Sequence, residues 1–503
     1  MLFSSLEFLF GFLPIVYLLF RLALRADIRL AEGAVVVASL FFYAWWDWQN
    51  LWVIAISICI NFILGNRILD AADRRNKKTW LIVGLTFNLL FLGWFKYADW
   101  LSGLLQAENF RELTSVAGVA SLPLGISFFT FQKIAFLVDC HNAPPRRRYN
   151  VIEYAFFVTF FPQLIAGPIV HHSDIIPQLW TLRRHVEGRH YVSRYVLPGI
   201  LLLTLGLFKK VALADSFGVF ANDSFVHVNE KVFSFLDAWS GALSYSFQIY
   251  FDFSGYSDMA LGLASLFGLH LPPNFMSPYK SLSIIEFWRR WHMSLSRFLR
   301  DYLYFPLGGN RQGTVRRYLN LMTTMLLGGL WHGASLTFLF WGGLHGCYLI
   351  LNHLWRRWTP IPMPPLLAFG LTFLAIVISW VPFRAANLAD CFLMYKLMLG
   401  FDGIVLPWKY QFLTQGTFQP LAQWLGVRID DVNHFAGLRQ IALFFAGALI
   451  AFRMPNSLEL LHRPYRHRIF CSRLAPCLLG VALVLSLVIL FTQENVTFLY
   501  FQF

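Results

Sequence analysis

The chain reads as an all-α, polytopic transmembrane helical bundle of about 11–12 spans, and three observations carry that reading. Only 14% of its 503 residues are charged while 57% are hydrophobic, against roughly 25% charged in soluble domains, so the polar surface that water requires is missing. Apolar runs such as Leu474 to Thr492 contain no charged side chain, and each approaches the roughly 20 residues that a helix needs to cross the hydrocarbon core. The runs are continuous, whereas a membrane barrel would alternate apolar and polar residues in strands of about ten.

In order along the chain, the runs fall near 8–24, 31–46, 51–66, 79–96, 113–138, 151–169, 195–215, 236–268, 319–338, 339–355, 366–385, 437–453 and 474–492. The first lacks a basic start and a small-residue cleavage site, so it is expected to be a retained span and not a leader peptide. Basic links separate many of the others: Arg25 to Arg29, Arg74 to Lys78, Arg146 to Arg148, Arg183 to Arg194, Arg311 to Arg317, Arg356 with Arg357, and Arg463 to Arg473. Placing these in the cytoplasm puts both termini outside, together with the more acidic links 97–112, 216–230 and 400–436. The formal net charge of +14 is thereby explained by loops facing anionic headgroups, and no nucleic-acid partner is expected.

One run breaks the alternation. The segment 151–169 has basic links on both sides, so it is expected to re-enter instead of crossing. Phe161-Pro162-Gln163 and Ala166-Gly167-Pro168 supply helix breakers near its apex. Broken backbone at membrane depth is tolerated only when buried in protein or lining a cavity. Residues 1–390 are read as the core and 391–503 as C-terminal transmembrane helices of the same membrane domain, with Thr359 to Pro365 as a candidate hinge. Six cysteines, at 59, 140, 347, 391, 471 and 477, have no metal-ligand spacing and read as small apolar fillers.

The densest polar stretch is 270–318. Within it, 284–302 reads as an amphipathic cytoplasmic helix, with Ile284, Phe287, Trp288, Trp291, Leu295, Phe298 and Leu299 recurring at three- and four-residue steps. Arg289, Arg290, Arg297 and Arg300 form its polar side. The plain reading is an interfacial helix held by lipid phosphates. The functional reading is a basic vestibule for an anionic, phosphate-bearing donor, and His292 among the arginines favours it.

His332 lies in Gly328-Gly329-Leu330-Trp331-His332-Gly333, inside a stretch without Asp, Glu, Lys or Arg from Tyr318 to Leu354. An intramembrane histidine normally faces a polar cavity or a partner, although a bond to a neighbouring carbonyl would also satisfy it. The glycines remove bulk around the imidazole, admitting a thin substrate or another backbone. His345 stands 13 residues on, off that helix face, so the two are not read as a metal pair. A further polar island holds Gln248, Asp252, Ser254 and Asp258. These are expected to line a channel, or to pair with Lys133 or a vestibule arginine.

Together these stretches resemble the membrane-bound O-acyltransferase superfamily, in particular its bacterial alginate O-acetylation branch. The resemblance runs from Phe3-Ser4-Ser5 through 123–139, 161–168, 250–258, 287–309 and Trp331-His332-Gly333 to Val381-Pro382-Phe383-Arg384-Ala385, whereas 391–503 matches mainly in hydropathy. It implies that His332 is the essential catalytic histidine and His292 a second polar position in a central tunnel, where funnels from the two faces meet. Donor and substrate contacts are expected from Arg289, Arg290, Trp291, Trp331, Asp252 and Gln248. The donor implied is acetyl-CoA or another acyl thioester, with no tightly bound cofactor and no metal. The implied partners are the lipid bilayer, a periplasmic acetyltransferase of the SGNH-esterase-like type and a polysaccharide synthesis or export complex. The implied place is the cell inner membrane, with the tunnel open to the cytoplasm. The acceptor is expected to be a secreted polysaccharide such as alginate, with peptidoglycan or teichoic acid as the alternative. A transporter, the rival outside the enzymes, would show paired halves with matching broken helices. Only one broken segment is evident.

Overall fold

The computed structural model describes residues 1–105, 122–145, 147–230, 233–359, 363–406, 408–415, 417, 419–430, 435, 437–461 and 474–492. Several expectations lie outside these residues: the start of the run 113–138, Arg146, the middle of the link Thr359 to Pro365, part of the link 400–436, and the link Arg463 to Arg473 with Cys471.

Helices dominate the described residues, and the protein is a multi-pass membrane protein. Six are long and apolar enough to cross a membrane: Glu7–Ala26, Ile28–Trp46, Trp48–Asp70, Arg74–Leu104, Val192–Val226 and Pro365–Arg384. Four other long helices, Ile126–Asn142, Phe235–Leu266, Gly313–His332 and Leu336–Trp358, carry more polar side chains. The helix Phe235–Leu266 is buried along nearly its whole length and forms the axis of the bundle. Its tight crossing with Leu197–Phe208 depends on facing glycines. A Cβ added at Gly199 would lie 2.9 Å from the Gly262 carbonyl oxygen, and one at Gly206 2.5 Å from that of Gly255. Small residues permit such close approach where no hydrophobic effect drives helices together.

The segment expected to be broken is broken. Val151–Thr159 begins with a capping box between Asn150 and Glu153. Phe160 turns the chain into the short helix Phe161–Leu164, and the backbone is irregular to His171. All residues from 156 to 172 are buried. Side chains satisfy the backbone groups that breaking the helix releases: Ser39 Oγ accepts from Phe161 N at 3.1 Å and Ser294 Oγ from Ile169 N at 2.9 Å.

Four sequence expectations are corrected. The region 284–302 is not one helix but two, Ile284–Arg290 and Met293–Leu299, because His292 adopts left-handed backbone (φ 43°, ψ 54°). The break placed between 338 and 339 lies at Gly333–Ser335, where Ser335 caps the next helix through Thr337 N at 3.2 Å. The link 216–230 is helical through Val226, since its entering lysines are paired and do not have to reach water. Lys209 binds Asp258 at 2.6 Å, and Lys210 binds Asp252 at 2.8 Å and Asp215 at 2.7 Å. Those bonds also correct the expected partners of the island carboxylates, because Lys133 instead donates to Ser57 Oγ at 2.7 Å. Of the five described cysteines, Cys140 and Cys391 are buried as fillers while Cys59, Cys347 and Cys477 face outward.

Candidate active site

His332 is the last residue of the helix Gly313–His332, and Gly333 leaves it in extended backbone. The glycines around it serve backbone packing. A Cβ at Gly329 would run into the Phe338 carbonyl oxygen and one at Gly342 into that of Met325, so the helices on either side of His332 touch backbone to backbone. Gly333 makes room for the Phe338 ring. Close approach of another backbone, one of the two uses anticipated for these glycines, is met at Gly329.

The imidazole of His332 is 6% exposed and boxed by rings: Trp331 at 4.8 Å, Phe383 at 5.0 Å and Trp341 at 5.1 Å between centroids. A second imidazole, that of His292, lies at 6.5 Å. His292 is 1% exposed, with Phe253 edge-on at 4.8 Å. Two histidines 40 residues apart in sequence are therefore neighbours among packed aromatic rings.

What fixes His292 is Asn274. Its Oδ1 accepts from Ser294 N at 3.2 Å and Ser294 Oγ at 2.9 Å, and it lies 3.1 Å from His292 Nδ1. Because the Ser294 amide can only donate, that atom is the amide oxygen, and His292 Nδ1 carries the proton that meets it. Nε2 then holds a lone pair, and it has no hydrogen-bond partner among the described residues. Met293 N donating to Asn274 O at 3.0 Å completes the brace. Left-handed backbone at a non-glycine residue costs about 1–3 kcal/mol and persists only where the surroundings over-determine it. Here they do.

The remaining expected site residues divide. Trp331 is beside His332 and stacks on Phe131 at 5.2 Å. Trp291 is buried in a stack with Phe287 at 5.5 Å and Tyr279 at 6.1 Å, supporting the chamber wall. Arg289 is exposed and forms no ion pair among the described residues, whereas Arg290 is held by Glu286 at 2.8 Å. Arg297 pairs with Asp174 at 3.2 Å and Arg300 with Asp301 at 2.7 Å, so much of the expected basic face is already neutralised. Asp252 and Gln248 are not brought to the histidines. Asp252 is turned to Lys210, and Gln248 packs over Gly218. His345 sits one turn beyond Trp341, its Nδ1 accepting from Trp288 Nε1 at 3.2 Å.

Three features escaped sequence reasoning. Asn274 was visible only as part of Pro272-Pro273-Asn274. Lys96, at the end of an apolar run, donates to the carbonyl oxygens of Trp331 (2.5 Å) and His332 (3.1 Å). A third network gathers Tyr302 OH on Asp139 Oδ1 at 2.7 Å, His172 Nε2 on Asp139 Oδ2 at 3.2 Å and Tyr149 OH on His172 Nδ1 at 2.7 Å. It ties the segment after Leu299 to the end of Ile126–Asn142. Among the described residues no group of three or more His, Cys, Asp or Glu side chains could hold a metal ion.

Residues 75–381 match the model of the MBOAT, membrane-bound O-acyltransferase, family. The chain is 41% identical to a peptidoglycan O-acetyltransferase of Helicobacter pylori over 81% of each chain. This chain is a membrane-bound O-acyltransferase. The acyltransferase is also 40% identical to a probable alginate O-acetylase of Pseudomonas aeruginosa, over 88% of this chain and 82% of the relative. Its likeness to a teichoic acid D-alanyltransferase of Streptococcus thermophilus is 28% over 46% of this chain and 57% of the relative. The matched region holds both histidines, Asn274 and Lys96.

Proposed function

We propose that this acyltransferase moves an acetyl group from a cytoplasmic thioester, acetyl-CoA or a related acyl carrier, across the inner membrane for O-acetylation of a secreted polysaccharide such as alginate. The observation that carries the reading is the pair His332 and His292, 6.5 Å apart inside an apolar ring of side chains. A hydroxyl between them has one proton, which the His332 imidazole accepts, and His292 closes the other side of the oxygen. His332 takes the hydroxyl proton as the oxygen attacks the thioester carbonyl carbon. The C–O bond forms, the C–S bond breaks, and the thiolate leaves with the proton returned from the imidazolium. Such proton transfer contributes about 10²–10⁴ in rate, and orientation by a rigid box adds to it. His292 serves as the second polar contact, while Trp331 and Trp291 wall the acyl group from water. Exposed Arg289, with Arg290 beside it, would receive donor phosphates at the cytoplasmic mouth of a tunnel. Gln248 and Asp252 act at one remove, through the helix that presents Phe253.

The final acceptor is presented from outside, with a periplasmic acetyltransferase of the SGNH-esterase-like type and the polysaccharide synthesis or export complex as partners. A second reading is acetylation of peptidoglycan, and the 41% identical relative named for that reaction favours it. The test is His332→Ala in the full-length, membrane-inserted protein at matched abundance, with O-acetyl ester measured on both exopolysaccharide and peptidoglycan. Loss of ester from one polymer supports the reading and names the acceptor, and unchanged ester on both sinks it. His292→Ala is expected to be severe but incomplete.

A further inference from the structure

The last turn of any helix leaves carbonyl oxygens without intrahelical partners, and it is the negative end of the helix dipole. In the helix Gly313–His332 those carbonyls are taken by two adjacent residues of the helix Arg74–Leu105. Tyr97 OH donates to Leu330 O at 2.7 Å, and Lys96 Nζ donates to Trp331 O at 2.5 Å and His332 O at 3.1 Å. The third hydrogen of the ammonium goes to Ser127 Oγ at 3.2 Å. An ammonium has three donors and no acceptor, so Lys96 is saturated by protein. It lies 5.9 Å from the centroid of the Trp331 ring, and Phe131 and Phe128 hold that ring at 5.2 and 5.3 Å.

The direction of the side chain is what calls for explanation. A cavity of about 130 Å³, lined by Trp46, Lys96, Pro123, Gly125, Ser127 and Ile165 among others, lies on this side of the helix end. A lysine bordering a cavity can extend its head into that space. Lys96 instead directs all three bonds at the helix end and Ser127. No bond is left for a ligand in the cavity, which argues against substrate binding and for a mechanical role.

We propose that Lys96 is a positioning residue for His332, a clamp with two bonds on the carbonyl oxygens of Trp331 and His332 and a third anchored on Ser127. The inference rests on the reading of His332 as the proton acceptor. His332 is the terminal helical residue, so only side chains from other helices can fix its carbonyl, and a fraying last turn would swing the imidazole out of the ring box. Displacement of a reacting group by about 1 Å can cost on the order of 100-fold in rate.

The experiment follows the initial rate at which labelled acetate appears as O-acetyl ester on extracytoplasmic polymers, in cells carrying full-length Lys96→Met, Lys96→Arg or Ser127→Ala. Rates are divided by folded protein in the membrane and accompanied by the melting midpoint of the solubilised chain. The clamp predicts that Lys96→Met falls about 10- to 100-fold per folded molecule. Lys96→Arg, which keeps a cation and several donors, should recover most of the rate. Ser127→Ala removes one of the three bonds and should fall between Lys96→Met and wild type. A Lys96→Met rate equal to wild type per folded molecule overturns the proposal, as does a loss explained wholly by lower abundance. Should Lys96→Met fail to accumulate, the decision passes to Ser127→Ala, and full activity there overturns the clamp. His332→Ala run in parallel separates the two readings. Activity retained in that variant defeats the catalytic assignment, whereas activity lost there but kept in Lys96→Met defeats the clamp alone.

Discussion

Replacing Asn274 with leucine removes one oxygen and exposes how His292 is held. Asn274 Oδ1 receives Ser294 N at 3.2 Å, Ser294 Oγ at 2.9 Å and His292 Nδ1 at 3.1 Å. The Ser294 hydroxyl can rotate and already accepts from Ile169 N, so its loss is partly recoverable. The Ser294 amide and the His292 ring are both buried and have no such freedom. Two orphaned donors at about 1–3 kcal/mol each give about 2–6 kcal/mol. Release of the left-handed turn at His292 returns part of this, about 1–3 kcal/mol. The net expectation is a melting midpoint lowered by several degrees, and a fall in O-acetyl ester larger than the fall in folded protein. Asn274→Asp is the companion. It keeps an acceptor oxygen and gives up an amide nitrogen with no hydrogen-bond partner among the described residues. It should therefore hold His292 better than leucine does. Differential scanning fluorimetry of the solubilised chain, beside ester content at matched abundance, decides the matter. Wild-type melting and ester content in Asn274→Leu would refute the brace.

Three further outcomes follow from the packing. Gly342→Ala puts a methyl group against the Met325 carbonyl oxygen, whereas at Gly343 the nearest atom to an added Cβ is Leu326 Cδ2 at 3.7 Å. The first should cost about 1–3 kcal/mol and the second little, read as a difference in melting midpoint. Lys210→Met withdraws the ammonium from Asp252 and Asp215. Breaking a buried pair costs about 3–5 kcal/mol, so membrane abundance should collapse, with partial recovery when Asp252→Asn is added. Arg289→Ala should weaken binding of coenzyme A to the solubilised chain more than Arg290→Ala, because Glu286 already holds Arg290. The difference should vanish in high salt, since exposed charges are screened, and equal effects at every ionic strength would remove Arg289 from the donor mouth.

Hydropathy was sufficient for the bundle, because an apolar run of span length has few other fates. Local chemistry also marked the broken segment: Pro162, Gly167 and Pro168 cannot sit in an uninterrupted helix, and two basic links cannot flank a single crossing. The break at Trp291–His292 left no such mark. Phe287, Trp288, Trp291, Leu295 and Phe298 keep helical spacing straight across it, and a left-handed histidine is imposed by Asn274, 18 residues earlier. The carboxylates Asp252 and Asp258 were legible as buried charges in need of partners, yet their lysines were misassigned. Pairing is a property of which helices cross, and the close crossing at Gly206 and Gly255 is what brings Lys209 and Lys210 within reach. His332 was conspicuous as a polar residue in an apolar run. Its position at a helix end was hidden, because Gly333-Ala334-Ser335 disturbs hydropathy too little to register.

The two histidines are held by opposite means, and the contrast bears on what the chamber can do. His292 is fixed through its side chain, with Nδ1 tied to Asn274 and its backbone strained to suit. His332 is fixed through its backbone, with Lys96 on its carbonyl oxygen and rings against its imidazole. A histidine tied at Nδ1 has one defined orientation, which suits a group that forms a fixed wall of the site. A histidine held at its carbonyl, with rings packed against its imidazole, has its peptide fixed and its side chain bounded by those rings. A group that accepts a proton from an incoming hydroxyl and returns it to a departing thiolate must keep its peptide in place through both transfers. The proposed assignment of proton carrier to His332 is consistent with this anchoring. It would be reversed if His292→Ala proved the more damaging of the two at equal folded abundance.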